Sequence, residues 1–498
     1  MTSDSPANSR TYLLAPLLAL GLGAALRFFD LDTESLWLDE ALSWQQASLP
    51  IGELMRSIAV DVHPPLYALL LHAVISVFGD SEWALRLLSA VCVTASVWLT
   101  WAVCRRLHSD FAACIASLLC AISLFAIQYS QEARMYALMN SLALASMLML
   151  LRISSGHPKQ SSTNTLDMAG YILATGLLMY SHVYGLFVVI AQNIYMGARY
   201  LPGMPPTPAL SKKTWLGLQT ILAVIFLPWL YVLTAQIARV QSSFWIDRPD
   251  IASLVKTFEM YVGVMPALFL AAIAAMWAMF TLLRPGTDTN PGADSMNPRH
   301  CALFLAAWLL TPILLPYLIS QFLQPIYMPR YTIASSSAWF MLVAIGIASL
   351  NYRWLRYGLL SLLLVSMSLA LPYYFINNTK TDWPAVVSFV EENAAAGDLV
   401  LFHNPDVLVP YRYYATRDDL VLSSVVPAEI WQAAGVTDKT KPDVRGQARR
   451  HTQVWLVSGY DLKTAITEIE IVNQLVSVHP SQGGQEFTAI RVFRFAAP

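Results

Sequence analysis

The feature that most constrains this chain is a series of apolar blocks, each close to 20 residues long. A helix of about 20 apolar residues is the length that crosses roughly 30 Å of hydrocarbon. Hydrophobic residues make up 56% of the 498 residues, charged residues only 13%, and the mean hydropathy is +0.50. Soluble domains carry about 25% charged residues. The sequence therefore predicts an α-helical polytopic membrane protein.

About eleven of these blocks are predicted to span the membrane. They cover residues 11–29, 84–104, 111–128, 136–152, 168–184, 185–200, 214–235, 260–283, 301–321, 332–350 and 356–375. The first block is longer than the core of a typical secretory signal and lacks a small-x-small cleavage site, which favours an uncleaved anchor. The five cysteines lie in or beside the blocks, and we expect them to be small buried hydrophobes rather than disulfides or metal ligands.

One further block, His63–Phe78, decides the orientation of everything that follows it. The block is short, opens with His-Pro-Pro and is followed by the turn-like sequence Gly-Asp-Ser. If it lies along the interface, the cytoplasmic loops hold more Lys and Arg than the outer loops, as the positive-inside rule requires; if it crosses, this bias is inverted. We therefore predict an N-terminus inside, a first outer loop over residues 30–83, and a multi-pass protein of the cell (inner) membrane.

The composition of the chain changes after residue 376. Residues 377–498 contain no spanning block but begin with a helix-like stretch, Trp383–Asn393. Short β-rich runs follow at Asp398–Phe402, Gln453–Val457 and Phe487–Phe495. Alternating helical and β-rich runs predict a small α/β domain. The chain thus divides into a transmembrane domain, 1–376, and a soluble extracytoplasmic domain, 377–498.

Ionisable residues at the membrane margin are informative because they are costly to place there. Nearly all of those that suggest a functional role fall on the predicted outer side. In the first cluster, Leu36–Trp44, the adjacent carboxylates Asp39 and Glu40 stand between apolar residues. A carboxylate pressed against the membrane surface has a raised pKa and could accept a proton from a hydroxyl as a general base. The structural alternative is a helix start, since acids favour a helix N-terminus.

Two further clusters carry groups suited to an anion or a sugar. His63 follows Asp61 and could donate to a phosphate or a sugar hydroxyl, or could be an ordinary interface residue. Glu132 and Arg134, in the segment Gln128–Tyr136, are two residues apart and would not share a helix face, so each needs its own partner. Arg134 could pair with a carboxylate of the first loop or bind a phosphate bidentately. A structural ion pair between helices is the alternative.

Histidine, tyrosine and arginine also cluster at two later junctions between blocks. The sequence Tyr-Ser-His-Val-Tyr-Gly places His182 and Tyr184 between the fifth and sixth spans. The sequence Tyr-Met-Pro-Arg-Tyr places Arg330 and Tyr331 before the tenth span. Arg330 could be an anchor that reaches the interface. Because its own loop holds no acid, an anionic ligand is an equally good explanation.

Taken together, these segments resemble the GT-C class of membrane glycosyltransferases. They are most similar to the branch that holds the protein O-mannosyltransferases, the lipid A aminoarabinose transferase and their bacterial RgtA/B/C/D-like relatives. The matching segments are LWLDEALSW, HPPLYALLLHAVISVFG with the following Arg86, QYSQEARMYAL, SHVYG, YMPRYT and DWPAVVSFV. Each is weak alone, but they occur in the same order over nearly the whole chain.

The resemblance implies an inverting transfer of a sugar from a dolichyl or undecaprenyl phosphate to a hydroxyl of a glycan, lipid or protein acceptor at the outer face. It implies no nucleotide, metal or other cofactor. Asp39 would be the catalytic base, with Glu40 beside it as the second catalytic candidate. Some relatives have a lysine where this chain has His63. The predicted phosphate- and substrate-binding residues are His63, Glu132, Arg134, Tyr136, His182, Tyr184, Arg330 and Tyr331.

Other classes of function fit the sequence less well. A transporter or lipid flippase places ionisable groups near the bilayer midplane and often shows inverted repeats, whereas here the polar clusters gather at one face. An O-antigen ligase or polymerase also uses polyprenyl carriers but lacks the Asp-Glu pattern in its first loop. A non-catalytic interaction protein would leave the placement of the acids, histidines and arginines unexplained. The net charge of -1 gives no indication of a nucleic-acid partner, so the expected partners are the lipid-linked donor, the acceptor and the bilayer.

Overall fold

The computed structural model describes residues 6–154, 165–201, 210–240, 246–284, 296–377, 380–426, 443–459 and 467–496. Its first part is helical throughout. The helices are α1 (Pro6–Phe28), α2 (Leu38–Ala47), α3 (Ile51–Val60), α4 (Leu66–Phe78), α5 (Glu82–Leu107), α6 (Asp110–Ile122), α7 (Leu124–Ser130), α8 (Tyr136–Ser154), α9 (Thr165–Ser181), α10 (Gly185–Arg199), α11 (Lys212–Val240), α12 (Ile251–Val262), α13 (Met265–Leu283), α14 (Pro298–Phe322), α15 (Ile333–Ala348), α16 (Arg353–Ser368) and α17 (Ala370–Ile376).

Each predicted spanning block falls on helix, and the prediction of a polytopic helical membrane protein is confirmed. Among the described residues, seven stretches are long and apolar enough to cross a membrane, and an eighth is the bent pair α6 and α7. The described apolar part of α1, Leu14–Phe28, is shorter, as is α4. The helix α9 has 17 residues and α10 has 15. The number of eleven spans and their direction in the membrane stay predictions.

Two predicted spans are broken rather than continuous. The chain bends by 56° between α6 and α7, where Ser123 has an extended backbone. The other break lies at Gly263, whose φ of 91° is one that side-chain-bearing residues rarely adopt. Between α16 and α17 the backbone of Leu369 stays helical, so the two form one stretch, Arg353–Ile376. Broken helices leave carbonyl groups without intrahelical partners, and these need other donors inside a membrane protein.

Arg27, near the end of α1, supplies such donors at the break between α6 and α7. Its guanidinium is fully buried and donates to the carbonyl oxygens of Ala121 at 2.8 Å, Cys120 at 2.9 Å and Gly23 at 2.9 Å. The first two carbonyls belong to the last turn of α6. An arginine within a membrane bundle is therefore explained here by a structural role, because it hydrogen-bonds the carbonyls that the bend exposes.

The centre of the helical part is α15, which is buried along nearly its whole length. It packs against α13, α6, α14 and α8. At Gly346 the backbones of α15 and α13 are so close that a Cβ would lie 1.8 Å from the carbonyl oxygen of Ala274. The start of α15 follows a 3-10 turn, Pro329–Thr332, which carries Arg330 and Tyr331. This central helix thus holds one part of the candidate site in a fixed position.

The C-terminal part of the chain forms the small α/β domain that the sequence predicts. Its elements are α18 (Trp383–Asn393), β1 (Leu399–Phe402), α19 (Pro405–Tyr414), β2 (Val421–Ser424), α20 (Val444–Ala448), β3 (Gln453–Gly459), α21 (Glu468–Val476), β4 (Ser481–Phe487) and β5 (Ile490–Ala496). The sheet order is β2-β1-β3-β5-β4, with β1 parallel to both β2 and β3, and with β5 antiparallel to β3 and β4. The run predicted as one strand at Phe487–Phe495 is instead the turn and second strand of a hairpin.

Helices cover both faces of this sheet. On one face, Val400 and Phe402 of β1 pack with α18 and α19. On the other face, Leu399 and Leu401 pack with α20 and α21. Parallel strands buried on both faces are continuously apolar rather than alternating, which explains the sequence Leu-Val-Leu-Phe of β1.

Candidate active site

The loop between α1 and α2 is held by Arg86 of α5. All five N–H groups of its buried guanidinium have acceptors. They are the carbonyl oxygens of Leu31 and Glu34 at 2.8 Å and of Ser35 at 3.2 Å, and the two carboxylate oxygens of Glu40 at 2.8 Å and 3.0 Å. An arginine with its whole donor set satisfied leaves nothing for a ligand. Arg86 therefore shapes the loop from which α2 begins.

Glu40, the second acid of the predicted pair, is fully buried and surrounded by donors. Besides Arg86, it accepts from Lys380 Nζ at 3.0 Å and from the backbone N–H of Ala133 at 2.9 Å. Burial alone would raise the pKa of Glu40, but the charges of Arg86 and Lys380 outweigh it and lower this pKa to about 2. Glu40 is thus a permanently ionised group that joins α2, α5, the loop before α8 and the C-terminal segment.

Asp39 has a different environment from its neighbour. Adjacent residues on a helix point about 100° apart, so Glu40 faces inward while Asp39 faces Arg134 and Arg330. The Asp39 side chain is 21% exposed, and its Oδ2 lies 3.7 Å from Arg330 Nη1 and 3.9 Å from Arg134 Nε. In the described part of the chain, no donor lies within hydrogen-bond distance of this carboxylate. Asp39 therefore keeps its lone pairs available to an incoming group.

Arg134 is fixed behind Asp39 by contacts with α2 and with the loop before α4. Its Nη1 donates to the backbone oxygen of Asp39 and to the hydroxyl of Ser43, both at 3.1 Å. Its Nη2 donates to Nε2 of His63 at 3.4 Å. The predicted pairing of Arg134 with the first loop is present in the structure. The guanidinium is held by neutral acceptors and only weakly by the carboxylate, so much of its charge remains uncompensated.

Arg330 approaches the same carboxylate from the turn before α15. The centre of its guanidinium lies 5.7 Å from the ring of Trp37, 5.9 Å from Tyr136 and 5.6 Å from Tyr331. Aromatic faces attract cations at such distances. The side chain is 16% exposed. The rings thus set the direction of the guanidinium while one side of it stays accessible.

An aromatic cluster forms the wall beside the two arginines. The ring of His182 lies 5.0 Å from Tyr331, 5.3 Å from His63, 5.6 Å from Tyr184 and 5.9 Å from Tyr136. His182 Nδ1 accepts from the backbone N–H of Tyr184, which places the ring proton on Nε2 in the neutral form. This buried Nε2 has no hydrogen-bond partner among the described residues.

His63 is a neutral acceptor rather than a second cation. An arginine can only donate, so the contact with Arg134 requires a free lone pair on Nε2 of His63. Burial, together with the charges of Arg134 and Arg330, holds the pKa of His63 well below its ordinary value. His63 therefore differs chemically from the lysine that some members of the resembled branch carry at this place.

Glu132 lies beneath this group, in the loop between α7 and α8. It is 5% exposed, and its Oε2 has no partner within the described chain. Burial raises the pKa of Glu132 to about 7; the charge of Lys380 opposes this shift, and the charges of Glu40 and Asp39 add to it. The structure brings the predicted site residues into one region, with Glu40 and Glu132 buried and the other eight linked by the ion pairs, hydrogen bond and ring contacts given above.

Two contributors to the site were missed by the sequence analysis. Ser43 lies one turn after Asp39 on α2 and hydrogen-bonds both the Asp39 carbonyl and Arg134. Its spacing of four residues from Asp39 was a usable signal. Lys380 comes from the C-terminal segment, and nothing local in the sequence connects it to Glu40.

Across the residues that the structure describes, no group of three or more His, Cys, Asp or Glu side chains is arranged to hold a metal ion.

Comparisons with known proteins match one part of the sequence and the overall fold. Residues 62–232 match the family model of dolichyl-phosphate-mannose-protein mannosyltransferases. That match includes His63, Arg134 and His182 but not Asp39 or Arg330. Among curated protein sequences, none matches this chain.

Solved structures match the fold over almost the full length. ArnT from Cupriavidus metallidurans in the apo state has a TM-score of 0.65 at 14% identity, with 98% of each chain covered. The same protein bound to undecaprenyl phosphate has a TM-score of 0.61 at 14% identity, covering 96% of this chain and 97% of ArnT. AglB from Archaeoglobus fulgidus, with an inhibitory peptide and dolichol-phosphate, has a TM-score of 0.58 at 11% identity, covering 95% of this chain and 71% of AglB. The chain therefore shares its fold with these membrane proteins over nearly its full length, and residues 62–232 match the family model, in agreement with the resemblance that its motifs indicate.

Proposed function

We propose that this protein transfers a sugar from a polyprenyl-phosphate-linked donor to a hydroxyl group of a glycan, lipid or protein acceptor, with inversion, at the extracytoplasmic face of the cell membrane. The observation that carries the proposal is the approach of the Asp39 carboxylate to the guanidinium groups of Arg134, at 3.9 Å, and Arg330, at 3.7 Å. The similar ArnT structure was solved with undecaprenyl phosphate, which supports a lipid phosphate as the donor's carrier.

The charges of Asp39, Arg134 and Arg330 together fit a phosphodiester ligand. Arg134 and Arg330 carry two positive charges and Asp39 one negative charge, which leaves one positive charge among these three groups. A sugar-phosphate-lipid carries a single negative charge and would neutralise it. The neutral His63 adds no further cation. His182 holds an N–H donor without a partner in the described chain, which could bind a phosphate oxygen or a sugar hydroxyl.

The proposed chemistry uses each group once. The acceptor oxygen bonds to the anomeric carbon from the face opposite the phosphate, and the bond from that carbon to the phosphate oxygen breaks. Asp39 takes the hydroxyl proton, and Arg134 and Arg330 stabilise the charge that grows on the departing polyprenyl phosphate. The aromatic wall around Tyr331 excludes water and offers faces against which a sugar can pack.

Glu40 has no such task in this proposal. Its oxygens already accept from Arg86, Lys380 and Ala133, and its pKa of about 2 makes it a poor proton acceptor near neutral pH. We propose that Glu40 orients the first turn of α2 so that the Asp39 carboxylate faces Arg134 and Arg330. Of the two acids in the predicted pair, Asp39 is therefore assigned the base.

The test is a transfer assay with the full-length protein in liposomes, supplied with a panel of polyprenyl-phosphate sugars and with candidate acceptors. Mass spectrometry of cell-surface glycans and lipids, with and without the gene, selects the sugars for the panel. We expect the wild type to form product in the presence of EDTA. We expect Asp39→Asn to remain folded and to lose about 10²- to 10⁴-fold in kcat. Asp32→Asn is the matched control, because Asp32 is an exposed acid of the same loop.

Three results would contradict the proposal. The first is wild-type turnover by Asp39→Asn. The second is movement of the lipid across the bilayer with no glycoside formed, which would indicate a flippase or transporter. The third is consumption of diphosphate-linked donors alone, which would favour a ligase- or polymerase-like enzyme.

A further inference from the structure

The C-terminal segment touches the loop that carries Asp39 at several separate points. We propose that the C-terminal sheet domain is a positioning element for the catalytic carboxylate, with Lys380 and Tyr414 as the residues that hold the start of α2 in place. The inference rests on the proposed function of Asp39, and it assigns a task to the domain beyond that function.

Lys380 provides the charged part of this connection. Its Nζ lies 3.0 Å from Oε2 of Glu40 and 3.5 Å from Oε2 of Glu34, and its side chain is 14% exposed. Glu34 and Glu40 carry two negative charges, whereas Arg86 supplies one positive charge. Lys380 supplies a second positive charge. Its contact with the loop therefore balances the charges of these two carboxylates. The hydroxyl of Ser35 also donates to the backbone oxygen of Thr381, the residue after Lys380.

The end of α19 provides the uncharged part. The hydroxyl of Tyr414 accepts a hydrogen bond of 2.7 Å from the backbone N–H of Leu36. The hydroxyl of Tyr413 donates to the backbone oxygen of Asp80 at 2.7 Å, and its ring packs edge-on against Trp44 at 5.0 Å. The end of α19 therefore contacts the first loop at two places, just before α2 at Leu36 and near the end of the loop at Asp80.

The position of Asp39 depends on these contacts because of where it stands on α2. The helix begins at Leu38, so Asp39 is its second residue and lies between Leu36, bound by Tyr414, and Glu40, bound by Lys380. A rotation or shift of this first turn would move the carboxylate relative to Arg134 and Arg330. A displacement of about 1 Å in a catalytic group costs on the order of 10²-fold in rate.

The experiment compares Lys380→Met, Lys380→Arg and Tyr414→Phe with the wild type, all full-length and in liposomes. We expect Lys380→Met to lower kcat roughly 10-fold or more, since the displacement argument sets about 10²-fold as its scale. We expect its affinity for undecaprenyl phosphate to stay the same, because Arg134 and Arg330 are untouched. Lys380→Arg should restore most of the loss, because it keeps the charge. Tyr414→Phe removes the acceptor for Leu36, together with the contact of the hydroxyl with Glu82, and should also lower kcat.

Lys256→Met and Tyr373→Phe are the matched controls, since both side chains are exposed. Hydrogen exchange of residues 36–44 gives a second readout that does not depend on activity, and it should rise in Lys380→Met and Tyr414→Phe but not in the controls. Unchanged exchange in both variants would overturn the positioning role, whether or not the wild type transfers sugar. Unchanged kcat beside an active wild type would also overturn it. Absence of transfer by the wild type on every donor, with exchange raised as expected, would overturn the proposed function alone.

Discussion

The guanidinium of Arg330 lies 3.7 Å from the carboxylate of Asp39, whereas Arg86 lies 2.8 Å from the carboxylate of Glu40. The first pair is partly exposed, and its charges are in contact without a hydrogen bond. The second pair is buried and bidentate. Two acids that follow each other in the chain therefore have separate tasks in the proposed mechanism. Asp39 is accessible to substrate, whereas both oxygens of Glu40 are already hydrogen-bonded to Arg86.

Replacing Arg330 should weaken binding of the donor's phosphate. A hydrogen bond to a charged group contributes about 1.5–3 kcal/mol, so Arg330→Gln should raise the Kd for undecaprenyl phosphate roughly 10- to 100-fold. Arg330→Lys should fall between, because a lysine keeps the charge but loses the planar donor pair. The measurement is a binding titration with the protein in nanodiscs. Arg56→Gln, at an exposed position on α3, is the control, and an equal loss in that variant would show that bulk charge alone is responsible.

Replacing Glu40 should destabilise the protein, because it leaves the buried Arg86 without its counter-charge. Removing one partner of a buried ion pair costs about 3–5 kcal/mol. Glu40→Gln should therefore lower the Tm of the detergent-solubilised protein and increase exchange in the first loop. Glu53→Gln, which removes an exposed acid of α3, should leave the Tm unchanged. A Tm of Glu40→Gln equal to that of the wild type would contradict the structural role.

Glu132 should make stability depend on pH. Its pKa in the folded protein is about 7, above the ordinary value of 4.5, so between these values the folded state binds more protons than the unfolded state. The stabilisation is present below about pH 4.5 and is lost as the pH rises through about 7; it corresponds to about 3 kcal/mol at most. Glu132→Gln should flatten this dependence. Thermal unfolding of both proteins from pH 4.5 to 8 tests the prediction, and identical slopes would refute it.

Arg27 should be required for the bend between α6 and α7. Arg27→Met leaves the carbonyl groups of Cys120 and Ala121 buried without donors, and each unsatisfied group costs about 1–3 kcal/mol. We expect a lower Tm and a lower yield of folded protein. Arg353→Met, at an exposed position at the start of α16, is the control. If both variants unfold at the wild-type temperature, the carbonyls have found other donors and the role assigned to Arg27 is wrong.

Several parts of the fold were accessible from the sequence for identifiable physical reasons. The length of the apolar blocks predicted helices because only a helix satisfies its backbone within a hydrocarbon layer. The helix Trp383–Asn393 was predicted with the bounds that the structure has. The breaks within two of the spans were not predicted, because a bend such as that at Ser123 depends on a distant donor, Arg27, that no local pattern reveals.

The sequence by itself determined the class of the molecule and the kinds of group in its site. Blocks of the length of a bilayer, and polar clusters between them, follow from the cost of burying charge and need no tertiary information. Only the tertiary structure decided that Asp39 faces Arg134 and Arg330 while Glu40 is closed off by Arg86 and Lys380. Rotation along a helix separates neighbouring side chains, and contacts across hundreds of residues depend on packing, so neither can be deduced from the order of residues alone.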